Sequence, residues 1–447
     1  MRDDEPLTLD RDKAVSIPGI PGSAPGSAPA PGPDSLPAPL PETAALPVWT
    51  RRLVLAGLVL AALNLRPAVT SLGPLMKEVR AGLGMSGAVA GFLTSVPALC
   101  FALFGIAAPR LARRFGAGAV VCAGMAAIAT GLLLRPFASG TVLFLAASAV
   151  ALAGIAVSNI LMPVIVKRYF PDRVGAMTGL YSMALSLGTA AAAAATVPLT
   201  SAMGHGWRLG LGVWAALAVV AIVPWLGLVR DRSSAARPAP AGSGPATDGN
   251  TDGNTGRIIR SRTAWALACF FGLQATAAYV TMGWMPQIFR DAGLSAGTAG
   301  ALLAVTMVMG VPLSFALPSL AGRMRHQGPL VVVLALFGLA GYTGLWLAPA
   351  GAPWVWALLL GIANCAFPLA LTMVGMRSRT GAGVVRLSAF AQSTGYLISI
   401  PGPILVGALY QHSGGWDLPI ALMAALMVPQ IVVGVLAGRN RYIEDEL

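Results

Sequence analysis

This sequence has few charged residues. Only 11% of its 447 residues are charged, whereas 56% are hydrophobic. A typical soluble protein carries about 25% charged residues, and a soluble fold has no interior large enough to bury so much apolar surface. The apolar runs are roughly 20 residues long, the length that an α-helix needs to cross a bilayer. The composition therefore excludes a soluble protein, and the run length excludes the short alternating strands of a membrane β-barrel.

Acidic and histidine residues are missing from the middle of the apolar runs. The 17 acidic residues lie in tails, in loops or at helix ends, and all three histidines are in loops. Carriers coupled to protons often relay them through a carboxylate inside the membrane, and this sequence offers none. The four cysteines have no metal-ligand spacing. No nucleophile set or phosphate-binding loop is visible either, so we expect no enzyme activity, no catalytic residue, no metal site and no cofactor.

The apolar runs and the turns between them predict an all-α membrane protein with twelve transmembrane helices in two six-helix pseudo-repeats. The predicted helices cover residues 53–75, 86–108, 118–136, 141–166, 175–198, 207–229, 263–289, 296–320, 328–348, 353–375, 387–410 and 416–437. Around them we predict a disordered cytoplasmic tail at 1–50, an N-terminal half at 51–229, a cytoplasmic linker at 230–262, a C-terminal half at 263–440 and a cytoplasmic tail at 441–447.

The basic residues predict the orientation of these helices. With the N-terminus inside, 24 of the 30 lysines and arginines fall on the inner side and five on the outer side. This is the positive-inside pattern, so the net charge of +13 reflects topology and not nucleic-acid binding. We expect a multi-pass plasma-membrane protein, monomeric in the lipid bilayer, with both termini cytoplasmic and a small molecule as its partner.

Arg66 is the one charge near the middle of a predicted helix, and placing an arginine there costs a few kcal/mol. Such a residue usually faces a watery cavity or a protein interior. A guanidinium is permanently charged and offers a planar fork of donors, which suits an anion or a strongly dipolar heterocycle. Asn64 and Thr70 lie nearby, and Thr70 is one turn away on the same helix face. The alternative is a buried arginine that is satisfied by carbonyls or an amide and locks helices together.

Further polar side chains near mid-membrane are candidates for the same cavity. They are Asn159, Gln274, Tyr279, Asn364, Gln392 and Tyr396. Asn159 and Asn364 each precede a proline by four residues, at the same place in their halves, so each has a rival role in satisfying backbone groups freed by that proline. Gln392 and Tyr396 share a helix face. Tyr279 and Trp284 suit stacking on a planar ligand, but interfacial anchoring or core packing fits Trp284 better, since it lies near the outer end of its helix.

Several motifs resemble the major facilitator superfamily and, within it, the cyanate/2-nitroimidazole transporter family. They are Leu-Asn-Leu-Arg-Pro-Ala-Val-Thr at 63–70, Tyr-Phe-Pro-Asp-Arg at 169–173, Thr-Gly-Leu-Tyr at 178–181, Gly-Leu-Gln-Ala at 272–275, Tyr279, and Trp-Met-Pro at 284–286. The resemblance covers about 51–440 and implies a carrier that works by alternating access around a midplane cavity.

The loop between helices 2 and 3 departs from the superfamily pattern. The resemblance implies an acidic residue ahead of Arg-x-Gly in this loop. Arg113 stands there, followed by Arg114. The usual acidic–basic latch across the cytoplasmic ends therefore cannot form, and Asp172, next to Arg173, is a candidate for the missing acid.

The resemblance predicts a secondary active transporter for a small cyanate-like anion or a small nitro-heteroaromatic. A broad-specificity drug or metabolite exporter of the same superfamily is the first alternative, although an exporter of lipophilic cations would not suit the central Arg66. A membrane receptor or scaffold without transport is the alternative from another class.

Overall fold

The computed structural model describes residues 48–204, 206–230 and 258–446. Twelve helical stretches in this part of the chain are long and apolar enough to cross a membrane, so the predicted all-α, twelve-helix architecture is confirmed. We number these stretches as spans 1–12 and call spans 1–6 the N-terminal half and spans 7–12 the C-terminal half.

Seven spans are single helices. They are Gly87–Phe115 (span 2), Ala117–Leu134 (span 3), Thr141–Tyr169 (span 4), Val174–Ala202 (span 5), Arg262–Asp291 (span 7), Gly328–Leu347 (span 9) and Asp417–Ala437 (span 12). Five spans are interrupted. They are Val48–Asn64 with Pro67–Thr70 and Leu72–Leu83 (span 1), Trp207–Gly212 with Trp214–Arg230 (span 6), Ala296–Val308 with Gly310–Arg323 (span 8), Pro353–Asn364 with Ala366–Met376 (span 10), and Gly381–Ser399 with Pro401–Ser413 (span 11).

The predicted tail at 1–50 falls outside the described residues, except for its last three residues, which begin the helix Val48–Asn64. The predicted linker at 230–262 likewise lies outside the described residues between 231 and 257. Division of the chain into two six-span halves with these boundaries stays a prediction.

Proline explains the break that matters most. Pro67 has no N–H to donate one turn back, and proline is best accommodated in the first turn of a helix. The first helix of span 1 therefore stops at Asn64, and a new one starts with Pro67 at its first position. Arg66 lies between them with φ −126° and ψ −27°. Because of the break, Arg66 lies outside a continuous helix at the level of the cavity.

The two halves are tightly packed at the end of the bundle where spans 1 and 7 finish, which we call the distal end. Arg290 donates to both carboxylate oxygens of Glu78 at 2.7 and 2.6 Å, and also to the carbonyl oxygen of Pro74 at 2.9 Å. Spans 2 and 11 are so close that a Cβ on Gly91 would collide with the carbonyl oxygen of Pro403. Glycine is required there because the two backbones touch.

Packing between the halves loosens towards the opposite, tail end, where the described chain begins and finishes. A Cβ on Gly300 would lie 2.5 Å from the backbone of span 5, whereas one on Gly179, further towards the tail end, would lie 3.5 Å from the Phe315 ring. Spans 5 and 8 therefore diverge from the distal end to the tail end.

Two buried arginines stabilise the individual halves. Arg135, which sequence alone places at the outer edge of span 3, is 1% exposed and donates to Ser148 Oγ at 3.0 Å and to the carbonyl oxygen of Ala68 at 2.8 Å. Arg377, also 1% exposed, donates to the carbonyl oxygens of Ala437 and Gly438. Each joins helices of its own half. This is the structural role predicted from the sequence as the alternative for Arg66.

Candidate functional site

A cavity of about 320 Å³ lies between the two halves. Spans 1 and 5 form its N-terminal wall, and spans 7, 8, 10 and 11 form its C-terminal wall. Its polar lining residues are Arg66, Ser182, Ser186, Thr189, Gln274, Tyr279, Thr306, Ser314, Asn364 and Tyr396. Within the described part of the chain, the lining includes no aspartate or glutamate. The cavity can therefore offer hydrogen-bond donors and one positive charge to a ligand, but no negative charge.

Arg66 lies on the N-terminal wall and is partly accessible. Within the described residues its guanidinium forms no ion pair. It lies close enough to the phenol hydroxyls of Tyr279 and Tyr396 for its charge to act on both. The cavity lining around it is neutral, so its charge is available to a ligand.

Tyr396 is held in place by aromatic contacts on two sides. Its ring stacks on Phe101 of span 2 with 4.9 Å between ring centroids, and it meets Phe271 of span 7 edge-on at 5.1 Å. Aromatic pairs of this kind contribute about 0.5–1.5 kcal/mol beyond their buried area. The stack with Phe101 also joins the two halves beside the cavity, so a change in the angle between the halves must alter the position of Tyr396.

Gln274 and Asn364 belong to one local arrangement. Pro368 cannot donate to the carbonyl oxygen of Asn364 one turn back, and the side-chain Nε2 of Gln274 donates to that oxygen at 3.1 Å instead. Gln274 thus satisfies the backbone carbonyl that Pro368 leaves free. From the sequence, this role is predicted for Asn364 as the alternative to lining the cavity. Both side chains line the cavity.

Four residues predicted for the same cavity lie elsewhere. Asn64 donates to the carbonyl oxygens of Leu60 and Leu217, and its side chain is buried against span 6. Thr70 donates to the carbonyl oxygen of Arg66 and is fully buried. The backbone N–H of Thr70 also donates to the carbonyl oxygen of Arg66 at 3.0 Å, so Thr70 does lie one helical turn beyond Arg66, but it does not line the cavity.

The other two are engaged with neighbouring side chains. Asn159 accepts a hydrogen bond from the hydroxyl of Tyr181 at 2.7 Å, and Gln392 donates to Ser388 at 2.7 Å. Neither lines the cavity. In this conformation Asn64, Thr70, Asn159 and Gln392 do not line the cavity, and their role in substrate binding stays a prediction.

Trp284 is not an interfacial anchor in this structure. Its side chain is completely buried at the distal end, where its ring contacts Tyr410 and Trp416. An anchor of the aromatic belt would place its ring at the membrane surface. Of the two structural roles expected for Trp284, the structure therefore shows core packing and not interfacial anchoring.

Span 5 supplies cavity residues that sequence reasoning missed. Ser182, Ser186 and Thr189 follow one face of its helix at intervals of four and three residues. Hydroxyl residues are common in membrane helices, where they bond to the carbonyl one turn back, as Thr189 does with Leu185 at 2.7 Å. The spacing is the only signal in the sequence, and it does not distinguish a cavity wall from helix packing.

The residues predicted for a conformational latch lie at the tail end. Arg113 and Arg114 finish the long helix of span 2, and Asp172 and Arg173 form the turn before span 5. All four are exposed, and Asp172 makes no ion pair with any residue in the described ranges. The role of these residues stays a prediction.

Comparisons with known proteins agree with this architecture. The chain is 33% identical to the uncharacterized transporter YycB of Bacillus subtilis (strain 168), over 87% of this chain and 94% of that protein. It is 32% identical to the 2-nitroimidazole transporter of Escherichia coli (strain K12), over 88% and 97% of the two chains. It is 30% identical to the cyanate transport protein CynX of the same organism, over 84% and 94%.

Solved structures share the fold at low sequence identity. The crystal structure of nucleoside transporter NupG is 13% identical, covers 87% of this chain and 98% of its own, and gives a TM-score of 0.68. A bacterial homologue of the human lysosomal transporter Spinster, inward-facing and unoccupied, is 18% identical, covers 87% and 95%, and gives 0.67. The family model of the Major Facilitator Superfamily matches residues 55–400. The twelve-span chain therefore belongs to the Major Facilitator Superfamily, and it is similar to the cyanate and 2-nitroimidazole transporters within it.

Proposed function

We propose that this membrane transporter moves a small anion, or a small planar molecule with an anion-like nitro group, by alternating access. The observation that carries the proposal is Arg66 on the wall of a cavity without carboxylates among its described lining residues. A buried cation lowers the affinity for cationic ligands and raises it for anionic ones, because charges interact strongly where water is scarce. A drug exporter for lipophilic cations would need the opposite charge.

The neighbours of Arg66 support recognition of a flat ligand. Tyr279 and Tyr396 place phenol rings and hydroxyls on the opposite wall, and Asn364 adds an amide. The guanidinium fork binds two acceptor oxygens at once, and aromatic rings contact the face of a conjugated ligand. A volume of about 320 Å³ is at the small end of the range for ligand cavities. These features favour a small planar anion over a large amphiphile.

The similar proteins point in the same direction, since one is named for 2-nitroimidazole and another for cyanate. A third similar stretch, 35% identical over 125 residues, belongs to a putative anionic 4-hydroxy-benzoate permease of Thauera aromatica and covers 73% of that protein. The shared chemistry is a small ligand with electron-rich acceptor atoms, which carry a full negative charge in the two anions and a partial one on the nitro oxygens.

Alternating access in this chain would use the two ends differently. The distal end is closed by Glu78 and Arg290, whereas spans 5 and 8 diverge towards the tail end. With the basic residues concentrated on the tail side, we place that side in the cytoplasm of a plasma-membrane protein. The described conformation then opens the cavity inward.

The test is uptake of labelled cyanate and of a 2-nitroimidazole into right-side-out membrane vesicles. We compare the wild type with Arg66→Lys, which keeps the charge and loses the fork, and with Arg66→Ala, which loses both. We expect transport by the wild type, a loss of about tenfold or more with lysine, and no transport with alanine. Losing one charge-assisted hydrogen bond costs about 1.5 to 3 kcal/mol, and 1.4 kcal/mol corresponds to a factor of ten.

Arg325→Lys is the matched control, because Arg325 is an exposed arginine at the tail end and does not line the cavity. Uptake by Arg66→Ala at the wild-type rate would remove Arg66 from substrate binding. Absence of flux for both compounds in the wild type, together with efflux of lipophilic compounds, would support the exporter. Absence of any flux would support a receptor or scaffold.

A further inference from the structure

A second, much smaller pocket lies behind the substrate cavity in the C-terminal half. It measures about 10 Å³, and its lining includes Gln274, Tyr342, Asn364 and Gln430. Gln274 and Asn364 also line the large cavity, so their side chains separate the two spaces. About 10–15 Å³ is the space that one water molecule needs.

Three polar atoms of this pocket are buried without a hydrogen-bond partner among the described residues. They are Oε1 of Gln274, Nδ2 of Asn364 and Oε1 of Gln430. Gln274 is 2% exposed and Gln430 is 4% exposed, so bulk water does not reach them. A buried polar group without a hydrogen-bond partner destabilises the fold, and three such groups around one pocket would be strongly unfavourable within a single half.

The chemistry of the three atoms matches one water molecule. Two are carbonyl-type oxygens that accept a hydrogen bond, and one is an amide nitrogen that donates. A water molecule donates two hydrogen bonds and accepts at least one, which satisfies all three groups. A metal ion would be repelled by the amide nitrogen, and the described lining of the pocket supplies no charged ligand.

We propose that a single water molecule occupies this pocket, accepting from Asn364 Nδ2 and donating to Oε1 of both Gln274 and Gln430. The water joins spans 7, 10 and 12, which contribute these three side chains. Gln430, which does not reach the large cavity, is then a positioning residue that acts through the water. With the amide nitrogen of Asn364 held on the water, its amide oxygen is left for the large cavity.

The direct test is a map of the complete wild-type protein at a resolution of roughly 2 Å or better, without added substrate, where ordered water at hydrogen-bond distance is visible. We expect a density peak within hydrogen-bond distance of all three amide groups. The same peak should be absent in Gln430→Leu and present in Gln287→Leu. Gln287 is a matched control because it is also 2% exposed with an unpartnered Oε1 in the described structure, but it lies at the distal end of span 7 and does not line the pocket.

Radiolytic labelling in solution provides a second measurement, since hydroxyl radicals form at bound water and modify adjacent methionines. Met427 lines the pocket, whereas Met125 is fully buried in the N-terminal half. We expect Met427 to be labelled faster than Met125 in the wild type and Gln287→Leu, and at the rate of Met125 in Gln430→Leu.

An empty pocket in the wild-type map, or equal labelling of the two methionines, would overturn the proposal. A peak with contacts shorter than about 2.5 Å, typical of a metal ion, would also overturn it. Neither measurement uses a transport substrate, so failure of the proposed substrate class would leave the result for the water site intact.

Discussion

The ion pair between Glu78 and Arg290 is expected to hold the distal end closed. The pair joins the two halves through two charge-assisted hydrogen bonds, and the side chains are 14% exposed for Arg290 and 35% exposed for Glu78. A hydrogen bond to a charged group contributes about 1.5–3 kcal/mol, whereas a fully exposed pair contributes about 0–1 kcal/mol. For this partly exposed pair we take about 1.5 kcal/mol, which corresponds to about a tenfold change in an equilibrium constant.

Glu78→Gln should therefore raise the ratio of distal-open to distal-closed molecules about tenfold. The measurement is the distance distribution between spin labels at Ser139 and Ala350, which are exposed positions at the distal end of the two halves. The four native cysteines are replaced by alanine for this purpose. We expect a longer-distance population to grow in Glu78→Gln and in Arg290→Gln, and the double variant to show little further change.

Arg379→Gln is the control, because the pair of Arg379 with Asp445 has similar geometry at 2.8 Å but is more exposed and lies within the C-terminal half. Unchanged distance distributions in Glu78→Gln would refute the reasoning. So would an equal shift in Arg379→Gln, since that pair does not join the halves.

Three further outcomes follow from the packing. Gly91→Ala should prevent distal closure and abolish transport, because its Cβ would collide with the backbone of span 11, whereas Gly118→Ala, with open space around it, should transport normally in the same uptake assay. Arg377→Met should lower the free energy of unfolding by about 3 kcal/mol, since the buried carbonyl oxygen of Ala437 and the buried side-chain oxygen of Gln327 lose their donor. A change below about 0.5 kcal/mol in thermal unfolding in detergent would contradict this. Although burial by itself raises the pKa of Glu446, hydrogen bonds from Ser261 and Thr263 outweigh it and lower that pKa below the ordinary 4.5. The stabilisation by Glu446 should thus be present above pH 4.5 and disappear as the pH falls through the lower pKa, so the difference in melting temperature between wild type and Glu446→Gln should shrink on acidification.

The sequence predicts the helices of this protein better than the contacts between them. Long apolar runs decide the number of spans, because a backbone inside a bilayer must satisfy its own hydrogen bonds and has few alternatives to a helix. The same reasoning identifies Arg66, Gln274 and Asn364, since polar side chains at mid-span need a polar surrounding. The structure brings these three together around one cavity, and their role in binding stays a prediction.

Residues that depend on a helix break or on a distant partner are not predictable in this way. Asn64 is expected in the cavity from its closeness to Arg66, but it lies on a different helix face and donates to a carbonyl oxygen of span 6. Glu78 and Arg290 are 212 positions apart, and no local pattern connects them. The burial of Arg135 depends on a carbonyl of span 1. Tertiary packing decides all of these positions, and the local sequence does not predict it.

Three of the helix breaks lie at the wall of the cavity, where Arg66, Gly310 and Cys365 all contribute to the lining. A ligand in the cavity is therefore next to the points where these spans can bend. The helix Gly310–Arg323, with 14 residues, extends about 21 Å from its break at roughly 1.5 Å per residue. A bend of about 10° at the break would move its far end by about 4 Å, more than the diameter of a water molecule. Span 8 therefore acts as a lever whose pivot is in contact with the ligand. Small adjustments around the ligand become movements of the far end of this helix that are large enough to admit or exclude solvent at the tail end.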